Sequence, residues 1–169
     1  MPFTPFHFGP GLLIKTLLPG QFSLSMFALA NVAMDVEPLF RILRHDKELH
    51  GFSHTLFGAA CIGVATVLAG RVALRRAWRW YEQRSACASN PVHLTATQAW
   101  LGALAGTFSH LLLDAVMHAD MHPFVPFTDA NPLLDVISTQ NMYLGCVLAG
   151  MLGLLLMLLR AAFHTQRTH

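Results

Sequence analysis

Four long apolar stretches constrain this chain most, because each is long enough to cross the hydrocarbon core of a bilayer. They lie at about residues 10–34, 55–74, 97–117 and 142–163. Only 12% of the residues are charged, whereas soluble domains carry roughly 25%. The sequence therefore predicts an all-α integral membrane protein, in which residues 1–169 form a single membrane-embedded helical domain.

The first apolar stretch differs from the other three. Pro19 and Gly20 interrupt it near the middle, and Lys15 places a charge in its first half. Proline removes a backbone donor and clashes with the preceding turn, so it ends or kinks a helix. The sequence predicts a segment broken at Pro19-Gly20, either as a kinked span or as two short helices that enter and return.

The arginines predict an orientation in the membrane. Five of the eleven Lys and Arg residues lie between Arg71 and Arg84, with Glu82 as the one acid among them. Basic residues concentrate in the cytoplasmic loops of membrane proteins. We therefore expect a basic cytoplasmic loop at 71–96 and a non-cytoplasmic loop at 118–141. A basic cluster this short, beside apolar segments, does not indicate a nucleic-acid partner.

Three ionisable residues stand at four-residue spacing at the end of the third apolar stretch. These are His110, Asp114 and His118, and a helix places all three on one face. Removing such groups from water costs several kcal/mol unless they are paired, hydrogen-bonded or bound to a metal. We expect this stripe to belong to the functional site.

Other ionisable residues are expected at the same membrane surface. His50 and His54 have the spacing that lets two imidazoles on one helix face reach one ion. Asp35 and Glu37 lie where the first apolar stretch ends, and Asp120 follows the third. Imidazole and carboxylate together favour a divalent metal, with Zn as the first expectation and Mn or Fe as alternatives. Glu37 and Asp120 are the candidates for a catalytic general base.

Four short blocks occur in order along residues 1–114. They are His7 after MPFTPF, the DVEP block at 35–38, the HGFSHT block at 50–55 and the GTFSHLLLD block at 106–114. With these blocks the chain resembles the YdjM-like family of LexA-binding, inner-membrane-associated, membrane-bound metal-dependent hydrolases. The resemblance implies a metal-supported hydrolytic site whose ligands are His7, Asp35, His50, His54, His110 and Asp114.

The resemblance also bears on the first apolar stretch. A straight span would leave His7 roughly 30 Å from the other ligands, so its membership favours two short helices that enter and return. His118 and Asp120 lie outside the four blocks. Their place in the site, with His118 as a metal ligand, rests on local chemistry alone.

The expected activity is hydrolysis of an ester or phosphoester by metal-activated water. A site at the bilayer edge favours an amphiphilic or lipid-linked substrate, with membrane lipid as a partner and the inner membrane as the location. The ligands are expected toward the non-cytoplasmic face. The alternatives are a metal-ion carrier or sensor and a haem protein with His54 and His110 as axial ligands.

Overall fold

The fold is given by a computed structural model that describes residues 5–84 and 94–166, and every regular element in these ranges is helical. Two short 3-10 turns, Pro5–His7 and Phe52–His54, precede the first and third α-helices. The α-helices are α1 (Phe8–Leu17), α2 (Leu24–Leu43), α3 (Leu56–Arg84), α4 (Ala96–Met117) and α5 (Thr139–Gln166). The predicted all-α fold is confirmed.

Three of these helices are long and apolar enough to cross a membrane, namely Leu56–Arg84, Ala96–Met117 and Thr139–Phe163. The first apolar stretch is instead divided between α1 and α2, so the predicted break at Pro19-Gly20 is also confirmed. The Lys15 ammonium donates to the carbonyls of Pro19 and Phe22 at 2.7 and 2.9 Å. The charge in this apolar stretch therefore holds the turn together.

Small residues bring the helices into close contact. Gly9 and Gly153 let α1 pack along α5 in the same direction, because added Cβ atoms there would meet the backbone of the other helix. Gly102 and Gly106 of α4 allow an equally close approach to α2. Such close approach is how helices associate inside membranes, where the hydrophobic effect gives little help. Two apolar cores, one around Ala30 and Ala103 and one around Met34 and Leu111, join α2, α3 and α4.

The basic stretch differs from its predicted form. Helix α3 continues through it to Arg84, because no proline interrupts the sequence and Trp78 Nε1 donates to Glu82 one turn later at 2.7 Å. The loop predicted at 71–96 is therefore helical as far as Arg84. Residues 85–93 lie outside the described residues, and α4 begins at Ala96. The segment predicted as a loop at 118–141 consists of turns until α5 begins at Thr139.

The candidate ligands meet because successive helices run in opposite directions. His7 lies at the beginning of α1, and α2 returns from the break to carry Asp35 to the same end. His54 lies just before α3, and Asp114 lies in the last turn of α4. One end of the helices therefore holds residues that are far apart in sequence.

Candidate metal centre

The carboxylate of Asp114 lies at the centre of a cluster of imidazoles. Its Oδ1 atom lies 3.2 Å from Nε2 of His7 and 3.8 Å from Nε2 of His118. Its Oδ2 atom lies 3.1 Å from Nε2 of His110 and 3.4 Å from Nε2 of His54. In each of these four histidines, Nε2 is the ring nitrogen that faces the carboxylate of Asp114.

Two further candidates border this centre. Oδ1 of Asp35 lies 3.4 Å from Nε2 of His110. The ring centroid of His50 lies 4.7 Å from that of His54 and 4.6 Å from that of His118. The structure thus brings all seven candidate ligands into one cluster.

Most of the cluster is removed from solvent. His118 is partly exposed, and exposure of the other six ranges from 0% at His110 to 7% at His50. In the described ranges, these six are all of the buried histidine, acidic and basic side chains. Burial of an uncompensated charge costs several kcal/mol. The buried carboxylates therefore need a compensating positive charge, from a protonated imidazole or from a bound cation.

The hydrogen bonds of His110 fix the orientation of its ring. Nδ2 of Asn31 donates to the carbonyl of Phe27 at 2.9 Å, so Oδ1 of Asn31 is the atom that faces Nδ1 of His110 at 3.1 Å. An amide oxygen only accepts, so Nδ1 carries a proton and donates it to Asn31. Nε2 faces the carboxylates of Asp35 and Asp114. Either a second proton on this ring or a cation bound at Nε2 balances the negative charge of the two carboxylates.

His54 is held in a similar way. Its Nδ1 lies 2.8 Å from the Ser53 hydroxyl, and its Nε2 lies 3.4 Å from Oδ2 of Asp114. Among the described residues, five buried side-chain nitrogen and oxygen atoms have no hydrogen-bond partner. Four of them belong to the cluster, namely Nε2 of His7, His54 and His110 and Oδ1 of Asp35, and the fifth is Nε of Arg71.

The orphaned atoms and the residue types together fit a metal site. Two groups of three have ligand atoms that all lie within 4.8 Å of one another: His7, His110 and Asp114, and His50, Asp114 and His118. Imidazole nitrogen and carboxylate oxygen are ligands that Zn, Mn and Fe accept. A haem between His54 and His110 fits poorly, because both rings contact the same Oδ2 atom of Asp114.

The family model for the YdjM inner membrane protein matches residues 11–168. The chain belongs to this family. Its membership confirms the family suggested by the four sequence blocks, and with the apolar helices it makes this chain a membrane protein in contact with lipid. No curated protein and no solved structure matches the chain.

In this YdjM family member the two candidate general bases lie outside the cluster of seven candidate ligands. Oε1 of Glu37 accepts from Nε and Nη2 of Arg41 at 3.0 and 2.8 Å, and its Oε2 accepts from the Ser53 amide at 2.7 Å. Glu37 thereby joins α2 to the 3-10 turn that ends at His54. Its carboxylate oxygens are committed to these donors.

Asp120 is also committed to hydrogen bonds. Its Oδ1 lies 2.9 Å from Nδ1 of His50, and its Oδ2 accepts from the amides of Leu49 and His50 at 2.8 and 3.2 Å. Burial raises the pKa of Asp120, but these hydrogen bonds outweigh it and hold the pKa at about 2. Burial and the neighbouring His54 lower the pKa of His50. Asp120 therefore orients a neutral His50 with Nε2 free to bind.

Two site residues were missed by the sequence analysis. Asn31 and Ser53 contact Nδ1 of His110 and His54, which sets the direction in which Nε2 of each ring points. A signal for Asn31 was present, because it lies four residues before Asp35 and shares its helix face. Ser53 gave no comparable signal, since serine beside histidine is common in turns.

Proposed function

We propose that this family member is a membrane-bound metal-dependent hydrolase whose His/Asp cluster holds a divalent ion, Zn in the first place and Mn or Fe as alternatives. The observation that carries the proposal is the buried Nε2 atom of His110, which lies 3.1 Å from the carboxylate of Asp114 and 3.4 Å from that of Asp35. A divalent ion bound there supplies Lewis acidity and lowers the pKa of water toward neutrality.

The side chains of the cluster would bind the ion, and neighbouring side chains would orient these ligands. His7, Asp35, His54, His110 and Asp114 supply the buried ligand atoms around the centre. Asn31, Ser53 and Asp120 contact Nδ1 of His110, His54 and His50, which orients these three rings. Partners of this kind fix the orientation and basicity of ligating histidines.

The surroundings of His50 support an amphiphilic ester or phosphoester as the substrate. A cleft of about 520 Å³ borders His50 and is lined by the aromatic rings of Phe52 and Phe57, with Arg41 among its polar groups. Both rings are more than half exposed. A cleft with apolar walls beside buried polar groups suits a molecule with an apolar tail and a polar head, such as a lipid or a lipid-linked compound.

The charge distribution supports a site toward the non-cytoplasmic face. The five arginines between Arg71 and Arg84 occupy the end of α3 away from His54. Arg160 of α5 donates to the carbonyl of Thr16 toward that same end. Because basic residues favour the cytoplasmic side, the opposite end with the ligands is proposed to face outward.

A metal carrier is less well supported than a hydrolase. A pathway through the membrane is marked by ionisable residues along its length. Among the residues that the structure describes, the buried histidines and acids all lie in the cluster. Farther from the cluster, the buried polar side chains include Thr16 and Thr66, which carry no charge. We therefore propose that the cluster binds the ion and does not pass it across the membrane.

Replacing Asn31 with leucine should weaken metal binding by roughly 10- to 100-fold, because the ring of His110 loses the acceptor that holds its proton on Nδ1. The dissociation constant for Zn, measured by competition with a chromogenic chelator, checks this. The matched control is Asn141→Leu at an exposed position near the start of α5. Equal constants for Asn31→Leu and the wild-type protein would contradict the role given to Asn31.

Asp120→Asn tests whether Asp120 positions His50 or acts as the general base. Asparagine keeps one acceptor oxygen, so either the backbone contacts or the contact with His50 is lost. We expect metal affinity to fall roughly 10- to 100-fold, while turnover at saturating metal changes little. A general base would show the reverse, with unchanged affinity and turnover lower by about 100-fold or more. Asp135→Asn is the control, because Asp135 is exposed and asparagine tolerates its positive φ.

The hydrolase itself is tested with purified protein in detergent. The protein is stripped of metal, reloaded with Zn²⁺, Mn²⁺ or Fe²⁺, and assayed with p-nitrophenyl esters and with bis(p-nitrophenyl) phosphate. We expect metal-dependent release of p-nitrophenol that Asp114→Asn lacks. Equal release by the reloaded protein, the stripped protein and the variant would contradict the proposal.

A further inference from the structure

The number and placement of the ligands point beyond a single ion. Seven side chains lie in the cluster, whereas a protein-bound Zn ion takes about four ligands in all. The described residues also form two separate ligand groups, and Asp114 is the member that both groups share. One ion would leave several of these buried acceptors without a partner.

The imidazoles follow one another along an arc around Asp114. The centroid distances are 4.3 Å from His7 to His110, 5.4 Å from His110 to His54, 4.7 Å from His54 to His50 and 4.6 Å from His50 to His118. Asp114 contacts both ends of the arc, with Oδ1 at 3.2 Å from Nε2 of His7 and 3.8 Å from Nε2 of His118. Its carboxylate is therefore within reach of ligands at either end.

We infer that Asp114 bridges two divalent ions, one bound by His7 and His110 and the other by His50 and His118. This inference rests on the proposed function and extends it. Asp35, at 3.4 Å from Nε2 of His110, belongs to the first ion.

The second position has an organisation of its own. The hydrogen bond between Nδ1 of His50 and Asp120 leaves Nε2 of His50 as an acceptor on the side of His118. The His118 amide donates to the Asp114 carbonyl at 2.9 Å, which ties the last turn of α4 to this ligand. With a side chain 24% exposed, His118 gives this position access to solvent, whereas His7 and His110 are closed off. The second ion is therefore the one that a substrate reaches.

A pair of ions favours one of the two substrate classes of the proposed function, which are esters and phosphoesters. Paired divalent ions are typical of phosphatases and nucleases, where they bind the oxygens on both sides of the reacting phosphorus. We assign a phosphoester substrate to this site. In the overall reaction a water oxygen forms a new P–O bond, the ester P–O bond breaks, and one water proton ends on the released alcohol.

Metal stoichiometry tests the second ion without reference to activity. Protein reloaded with Mn²⁺ and freed of excess ion is measured by elemental analysis and by electron paramagnetic resonance. We expect two Mn per chain with a spin-coupled spectrum, and one uncoupled Mn per chain in His118→Ala. His118→Gln provides a second variant in case alanine disturbs the end of α4. His45→Asn is the control, because His45 is exposed and asparagine tolerates its positive φ.

The outcomes distinguish this inference from the function on which it rests. One Mn per wild-type chain, unchanged in both His118 variants, would overturn the second ion and leave a single-metal hydrolase in place. Absence of bound Mn, Zn and Fe from the wild-type protein would instead overturn the proposed function. Two Mn per chain with hydrolysis of carboxyl esters and none of bis(p-nitrophenyl) phosphate would overturn the phosphoester assignment.

Discussion

Asp114→Asn is expected to remove bound metal and to lower hydrolytic turnover by more than about 100-fold, since loss of an indirect partner alone costs 10- to 100-fold. The substitution removes the negative charge that four imidazoles contact. Elemental analysis and a chelator titration measure the loss. Asp129→Asn, at an exposed position in the segment before α5, should bind metal like the wild-type protein.

The same variant should keep its fold. Asparagine has nearly the shape of aspartate, so the helices can pack as before, whereas loss of one partner from a buried pair of charges costs about 3–5 kcal/mol. We expect the helical circular dichroism spectrum to be kept and the unfolding temperature of the metal-free variant to lie below that of the metal-free wild-type protein. Normal metal content in Asp114→Asn would contradict the central position of this carboxylate, and so would loss of metal together with loss of the helical circular dichroism spectrum.

Gly102→Val is expected to lower the stability of the protein clearly. An added Cβ at Gly102 would overlap the Ser23 carbonyl oxygen and would lie 2.9 Å from Cβ of Met26. Overpacking of a core costs about 1–3 kcal/mol, and here the obstacle includes the backbone of α2, which cannot rotate away. Because α2 carries Asp35 and Asn31, the shift should also weaken metal binding.

The control for Gly102→Val is Gly145→Val on α5, where an added Cβ has no atom within 4 Å. Both changes place the same β-branched residue in a helix, so they share the same intrinsic helix penalty. Thermal unfolding in detergent should show a clear decrease for Gly102→Val and little change for Gly145→Val. Equal unfolding temperatures for the two variants would contradict the close packing of α2 on α4.

The sequence predicted the features that depend on local pattern. Proline with glycine ended α1, and four-residue spacing placed His110, Asp114 and His118 on one helix face. The position of His7 did not follow from spacing, because it depends on how α1 packs beside α5; the family resemblance supplied it. The helical state of the basic stretch was missed because arginine is compatible with both a loop and a helix.

The roles of the polar partners could not be predicted from the sequence. Asn31 and His110 are 79 positions apart, and Asp120 and His50 are 70 apart. These contacts exist only after α2, α4 and the turn before α3 have packed together. Glu37 and Asp120 therefore looked like free carboxylates in the sequence, whereas the structure gives each of them several donors.

X-ray absorption spectroscopy at the Zn edge of the reloaded protein tests most directly whether imidazoles and carboxylates hold the metal. We expect a nitrogen and oxygen shell at about 2.0–2.1 Å, with the outer-shell scattering of several imidazole rings. That outer signal should decrease in His110→Ala. A sulfur shell at about 2.3 Å, or a spectrum that His110→Ala leaves unchanged, would contradict a metal centre of histidines and carboxylates.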